Sequence, residues 1–155
     1  TQDSLFMRMS DSLWDKVFAI NLNASMAIIR KFIRGMIKNK WGRIVNISSV
    51  VASTGNPGQS NYVASKGALN GLTKSLALEV ATRGVTVNCI SPGFIDTAMT
   101  AKLNDDQRSK IIEKIPMGRM GVGDDISSLA LFLASNESSY ITGQNIHVNG
   151  GMFLG

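Results

Sequence analysis

Tyr62 and Lys66 stand four residues apart in S-N-Y-V-A-S-K-G-A-L, residues 60–69. On a helix that spacing puts a phenol and an ammonium on one face, one turn apart. A free phenol titrates near ~10, too high for efficient proton exchange at neutral pH. A fixed ammonium favours the phenolate and should lower that value toward the range in which acid–base catalysis works. An ordinary surface pair has the same spacing, so the pair gains meaning only from its surroundings. Ser49 supplies the first of these, because it follows the extended stretch R-I-V-N-I-S, residues 43–48. Open α/β sheets bind their ligands at the C-terminal ends of strands. A hydroxyl there can hold a substrate oxygen while Tyr62 exchanges a proton with it; a serine in a strand-end turn is the plainer alternative. Asn21 is the third candidate, lying among Phe18, Leu22 and Ser25 on an apolar helical stripe. A buried amide without a partner costs ~1–3 kcal/mol, so Asn21 either caps a neighbouring carbonyl or holds a water on a proton path to Lys66.

These residues need elements that hold them. Ser12-Leu13-Trp14-Asp15 predicts a helix start. Trp14, Phe18, Leu22, Ile29, Phe32 and Ile33 then recur at helical spacing to about Lys38, where Gly42 should end the pattern. Residues 43–48 read as a buried strand and 50–59 as a loop marked by Gly55, Asn56, Pro57 and Gly58. A second long helix is predicted over 60–82, with a core stripe of Leu69, Leu72, Leu76 and Val80. Its small residues Ala64, Gly67, Ala68, Gly71 and Ser75 form another stripe that would admit a close neighbour. Strands follow at 85–91 and 145–149, with a short helix capped by Asn104 and stopped by Pro116, and another helix over 124–135. Strands separated by helices imply right-handed crossovers and a parallel sheet, hence an α/β class. Only three strands are clear and no glycine-rich phosphate turn occurs, so the pattern reads as one side of a larger sheet.

Composition narrows the chemistry. The 155 residues suit one domain, residues 1–155. No apolar run reaches the ~20 residues of a membrane span, and residues 1–9 do not have the layout of a signal peptide. One cysteine and one histidine make neither a disulfide framework nor a metal site; the expected metal set is none, and a reducing cytoplasm fits. The formal net charge of +5 favours an acidic partner. Arg30, Arg34 and Lys38 would form a stripe, either a solvated face or a docking surface. Nucleic acid is not expected, since no aromatic residues interleave the basic ones.

Taken together, Ser49, Tyr62 and Lys66 with N-I-S-S, N-Y-V-A-S-K, V-N-C-I-S-P-G and H-V-N-G-G resemble the short-chain dehydrogenase/reductase family from Leu5 to the C-terminus. Within the family, S-V-V-A-S-T-G-N-P-G-Q-S-N-Y and P-G-F-I-D-T-A-M-T are most similar to the branch that reduces 3-oxoacyl thioesters on acyl-carrier protein. The resemblance implies a Rossmann-like doubly wound parallel sheet. It also implies a catalytic set of Asn21, Ser49, Tyr62 and Lys66, with Asn21 supporting a water relay. NADPH would be the cofactor, with Tyr62 and Lys66 at the nicotinamide ribose and Pro92, Gly93, the Ile95 backbone and Thr97 at the nicotinamide. Lys40 and Arg83 match basic residues that dock acyl-carrier protein, and the small-residue stripe matches a homotetramer surface. Residues 94–117 would form a lid, with Met99, Met117 and Met120 lining an apolar acyl channel. Cys89 and His147 match no functional position. The family's T-G-x-x-x-G-x-G turn, ribose selector and N-N-A-G strand end do not occur here. The chain is therefore expected to be the C-terminal catalytic and substrate-binding part, with the N-terminal nucleotide-binding half missing. Other expectations from the family are an alcohol dehydrogenase or ketoreductase of different specificity, or a non-catalytic fragment.

Overall fold

Three short stretches rich in β-branched residues pair side by side. In the computed structural model, which describes residues 1–98, 100 and 104–155, β1 (Gly42–Ile47), β2 (Val85–Pro92) and β3 (Asn145–Val148) form a parallel sheet in the order β1-β2-β3. Gly42 lies opposite Val85, Ile47 opposite Ile90, and Pro92 opposite Val148. The central strand is buried from Val85 to Ser91, as a strand covered on both faces must be. This is the parallel α/β arrangement that the alternation of elements predicts.

Helix α1 (Asp11–Phe18) runs through a π turn at Ala19–Asn23 into α2 (Ala24–Asn39). Its N-cap is Ser10, not Ser12: the Ser10 hydroxyl accepts from the Leu13 amide at 3.3 Å. Nor does Gly42 end the second segment. Lys40 does so in the left-handed region (φ 53°), with its amide on the Ile37 carbonyl and that of Trp41 on Met36, the paired closure that a glycine normally makes. Gly42 is instead the first residue of β1, where a Cβ would lie 2.7 Å from Met36. The predicted loop at 50–59 holds a one-turn helix, α3 (Val51–Thr54). The long helix α4 (Ser60–Val80) follows, then α5 (Asp105–Ile112) with the predicted Asn104–Gln107 capping box, and α6 (Gly123–Ala134). Helix α5 ends before Pro116 rather than at it.

The strand pleat sorts side chains to two faces. Ile44, Val85 and Val87 pack with Ala77 and Val80 of α4 and with Ile29, Ile33 and Met36 of α2. On the same face the Asn46 amide donates to the Thr73 hydroxyl at 2.8 Å, fixing α4 against β1 through a buried polar bond. Asn88 points to the other face and is fully buried. Its amide donates to the Ile141 carbonyl (2.8 Å) and its oxygen accepts from the Gln144 amide (3.1 Å), so one side chain holds the turn that leads into β3. Asn88→Ala removes both bonds to a half-buried and an exposed part of the chain. The expected loss is about 1–3 kcal/mol, two hydrogen bonds at the usual net value each, read as a lower midpoint in urea with an unchanged m-value.

Candidate active site

The site is built where β1 and β2 end. Ser48 and Ser49 follow Ile47 directly, and the Ser48 hydroxyl donates to the Lys66 carbonyl of α4 at 3.2 Å. That bond ties the first turns of α4 to the strand end and brings Tyr62 and Lys66 over it. The helix spacing then does as predicted: the Lys66 ammonium lies 5.7 Å from the Tyr62 ring centroid. The ammonium also donates to the Ile47 carbonyl at 2.7 Å, the last carbonyl of β1. Ser49 shares the cleft with the phenol and acts on it through its hydroxyl, while that hydroxyl accepts from the Val51 amide at 3.4 Å.

Ser49 and Tyr62 line a cleft of about 430 Å³ together with Gly93, Ile95, Thr97, Asp3 and Gln59. Gly93 is held by its amide on the Val148 carbonyl at 2.9 Å. A Cβ there would come within 2.8 Å of Asn149, so only glycine lets β2 and β3 stay together beside the cleft. The Pro92 carbonyl accepts from Val50 at 2.9 Å, and Ile95 pairs with Gly121 across a parallel bridge. Of the residues expected near a nicotinamide, Gly93, Ile95, Thr97 and Tyr62 thus line this cleft, while Pro92 and Lys66 stand behind it.

The electrostatics depart from the sequence expectation. Burial pushes the Tyr62 phenol above its ordinary value, the Ser49 hydrogen bond works in the opposite sense, and the Asp3 carboxylate pushes it up again. Burial outweighs the neighbouring hydroxyl, so the phenol is raised overall. Burial lowers Lys66 itself, with Cys89 acting in the opposite sense. The net shift of the phenol is thus upward, where the spacing alone leads one to expect a lowered value.

Asn21 reaches the site through an intermediary. It lies half-buried on the π turn, a local widening that often marks functional positions in helices. Its amide donates to the Ser65 hydroxyl at 3.1 Å rather than to a backbone carbonyl, and Ser65 donates to the Tyr62 carbonyl at 2.8 Å. Ser65 is fully buried and was not singled out from the sequence; its place beside Lys66 was the available signal.

Lys40 and Arg83 do come together, but elsewhere. They precede the first residues of β1 and β2, and a Cβ on Gly84 would lie 2.3 Å from the Lys40 carbonyl. That is the opposite end of a six-residue strand, about 20 Å from Ser49. Of the expected acyl-channel methionines, Met117 lines a second cleft of about 210 Å³ that shares Phe94 and Ile95 with the first. Met120 is buried and lines neither, and Met99 lies outside the described residues. Among the described residues no group of histidine, cysteine or carboxylate side chains is arranged to hold a metal, and no helix is long and apolar enough to cross a membrane.

A family model described as enoyl-(acyl carrier protein) reductase matches residues 2–153. The 3-oxoacyl-[acyl-carrier-protein] reductase FabG of Rickettsia felis is 55% identical over 154 residues, covering 99% of this chain and 64% of its own length. Nodulation protein G of Rhizobium sp. strain N33 is 54% identical, with 99% and 63% covered. A solved structure from Beutenbergia cavernae, provisionally assigned as an NAD(P)-dependent gluconate 5-dehydrogenase with NADP bound at low occupancy, has a TM-score of 0.93 and 39% identity. The match covers 97% of this chain and 61% of that one. The chain thus spans a little under two thirds of the length of these relatives.

Proposed function

This chain belongs to the short-chain dehydrogenase/reductase family, and we propose that its site serves the NADPH-dependent reduction of 3-oxoacyl-acyl-carrier-protein thioesters to the 3-hydroxyacyl thioesters. The observation that carries the reading is the meeting of Ser49 and Tyr62 in one cleft, with the Lys66 ammonium one helical turn from the phenol, in a chain 55% identical to a reductase of that name. The donor set fits the nicotinamide end of the cofactor: a phenol shares the cleft with a backbone segment that glycine keeps open, and an ammonium stands one turn from it on the same helix. Tyr62 and Lys66 would hold the ribose; Pro92, Gly93, Ile95 and Thr97 would hold the carboxamide.

When bound, the reduced nicotinamide supplies the hydride that reaches the ketone carbon. The Ser49 hydroxyl orients the ketone oxygen, and the Tyr62 phenol gives that oxygen its proton. Burial favours this direction of work, since it keeps the phenol protonated and ready to donate. Lys66, fixed on the Ile47 carbonyl, holds positive charge beneath the phenol as it loses its proton. Asn21 supports the path that restores the proton, and Ser65 sets its position.

Lys40 and Arg83 form an exposed basic pair suited to an acidic carrier protein. Gly67 and Gly71 of α4 face open space, room for the close approach of a helix from a second copy in a homotetramer. The test is NADPH oxidation followed by absorbance, with a 3-oxobutyryl group on acyl-carrier protein and on N-acetylcysteamine. Both should be reduced. Lys40→Glu with Arg83→Glu should raise KM for the carrier-bound substrate roughly tenfold or more and leave the small thioester unchanged. Equal effects on both substrates would remove the docking assignment; no turnover of either would remove the reductase reading.

A further inference from the structure

The entry to the sheet carries features that the active site does not use. Trp41 is 52% exposed, yet its ring is held at two points. Its Nε1–H donates to the Asn136 side chain at 3.0 Å, and the Arg43 guanidinium lies 5.2 Å from the ring centroid. Arg43 is fixed in turn, donating to the Ser135 carbonyl at 2.9 Å and to the Gly42 carbonyl at 2.9 Å. The backbone here is as closely determined. Lys40 takes the left-handed region, and a Cβ on Gly84 would meet the Lys40 carbonyl. That close approach brings Arg83 to the same corner. Lys38, Lys40 and Arg83 are exposed, and among the described residues neither they nor Arg43 form an ion pair. The carboxylates nearest along the chain are Glu137, exposed beside Asn136, and Glu79, which lines the groove between α2 and α4 with Arg30. The balance at this corner is therefore positive, around a large aromatic ring that is held in place.

We propose that Trp41 is the apolar anchor of the docking surface, seated against an apolar side chain of the acidic carrier protein while Lys40 and Arg83 meet its carboxylates. This rests on the docking role given above to Lys40 and Arg83, and adds the residue that holds the partner once it arrives. Exposed cations speed and orient the encounter with an acidic partner. A large share of the affinity comes from a few central side chains, tryptophan and arginine prominent among them, that are cut off from water on binding. Trp41 has a large apolar area to bury. Its ring also loses little freedom on burial, because Asn136 and Arg43 already hold it. The Nε1–H is committed to Asn136, so covering the ring leaves no donor without a partner. The surrounding cations select the partner's charge, since they draw an acidic surface to this corner and repel a basic one.

The test is binding of unacylated acyl-carrier protein, followed by the fluorescence anisotropy of a label on the carrier. It is measured with the wild type, Trp41→Ala, Trp41→Phe and the double variant Lys40→Glu with Arg83→Glu. Trp41→Ala should raise Kd roughly tenfold or more, the scale of a central anchor. Trp41→Phe keeps a ring beside Arg43 and should lose far less. A second readout watches the ring itself. The chain has two tryptophans, so in a Trp14→Phe background Trp41 is the single emitter, and saturating carrier should cut its quenching by acrylamide roughly twofold or more. Should Trp41→Ala fail to fold by circular dichroism, this quenching decides. Carrier binding that Trp41→Ala leaves unchanged, or that leaves Trp41 as open to acrylamide as before, overturns the anchor while Lys40 and Arg83 keep their role. Absence of carrier binding, or binding that the double variant does not weaken, removes the docking assignment and the anchor with it. Equal protection of Trp41 by polyglutamate would reduce the corner to a general anion surface. Protection that grows with the concentration of the chain alone would place a second copy there. Either result overturns the proposal. None of these readouts needs turnover, so the reductase reading stands or falls separately, on reduction of the small thioester.

Discussion

Tyr62→Phe is expected to cut ketone reduction by roughly 10²–10⁴-fold, the usual contribution of a positioned general acid, while the protein keeps its fold. Phenylalanine preserves the ring that lies beside the Lys66 ammonium and removes only the hydroxyl that Ser49 hydrogen-bonds. KM for the thioester should change little, because the proton is needed as charge develops on the ketone oxygen rather than for ground-state binding. The pH dependence follows from the same atom. The folded phenol is held above its ordinary value of 10.0, so the donor is protonated throughout the neutral range. Reduction should be flat there and fall only as pH rises through the folded phenol's value. The linkage has the matching sign: a raised pKa in the folded state adds stability below the unfolded phenol's value, and that contribution is lost as pH climbs through the folded one. Single-turnover rates, with circular dichroism to verify folding, would check both parts. A variant that retained wild-type turnover would remove Tyr62 from the chemistry.

Lys66→Met is the second large effect, with an expected loss of roughly 10²–10³-fold in kcat/KM. Methionine keeps much of the chain length and removes the charge. It leaves the Ile47 carbonyl without the 2.7 Å bond that now ends β1, and takes positive charge from beneath a phenol that must become a phenolate. The more informative readout is the Tyr62 titration. Spacing alone expects the ammonium to lower that phenol, so its removal would raise the step substantially. Burial already holds that phenol high, and removing a cation one turn away further disfavours the phenolate, so the step should rise while activity falls. KM for NADPH should rise as well, since the ammonium would face the ribose. A Tyr62 step that did not move would remove phenolate stabilisation from the role of Lys66.

Local chemistry made much of this protein legible before its structure. β-Branched runs and a helical spacing of apolar side chains are short-range signals, which is why the three strands and α4 fall within a residue or two of their expected bounds. Tyr62 and Lys66 share a helix face for the same reason, and Ser49 stands at a strand end because it follows the strand. The reading went astray where two local choices were nearly equal. Ser10 and Ser12 are both good caps, and the chain begins its helix after the first. Lys40 takes a backbone conformation usually left to glycine because the turn into β1 needs it there, one residue before Trp41.

What the tertiary structure decided was every relation across long stretches of chain. Asp3 and Gln59 are 56 residues apart, and Asn21 and Ser65 are 44 apart; no periodicity links them, since each pair meets only because separate elements are packed against the same sheet. Packing also placed Lys40 and Arg83 together at the end of the strands away from Ser49. The phenol's electrostatics belong to the same class. Spacing along a helix determines which groups are near Tyr62, but burial determines the sense of the net shift, because solvation is a property of the assembled fold.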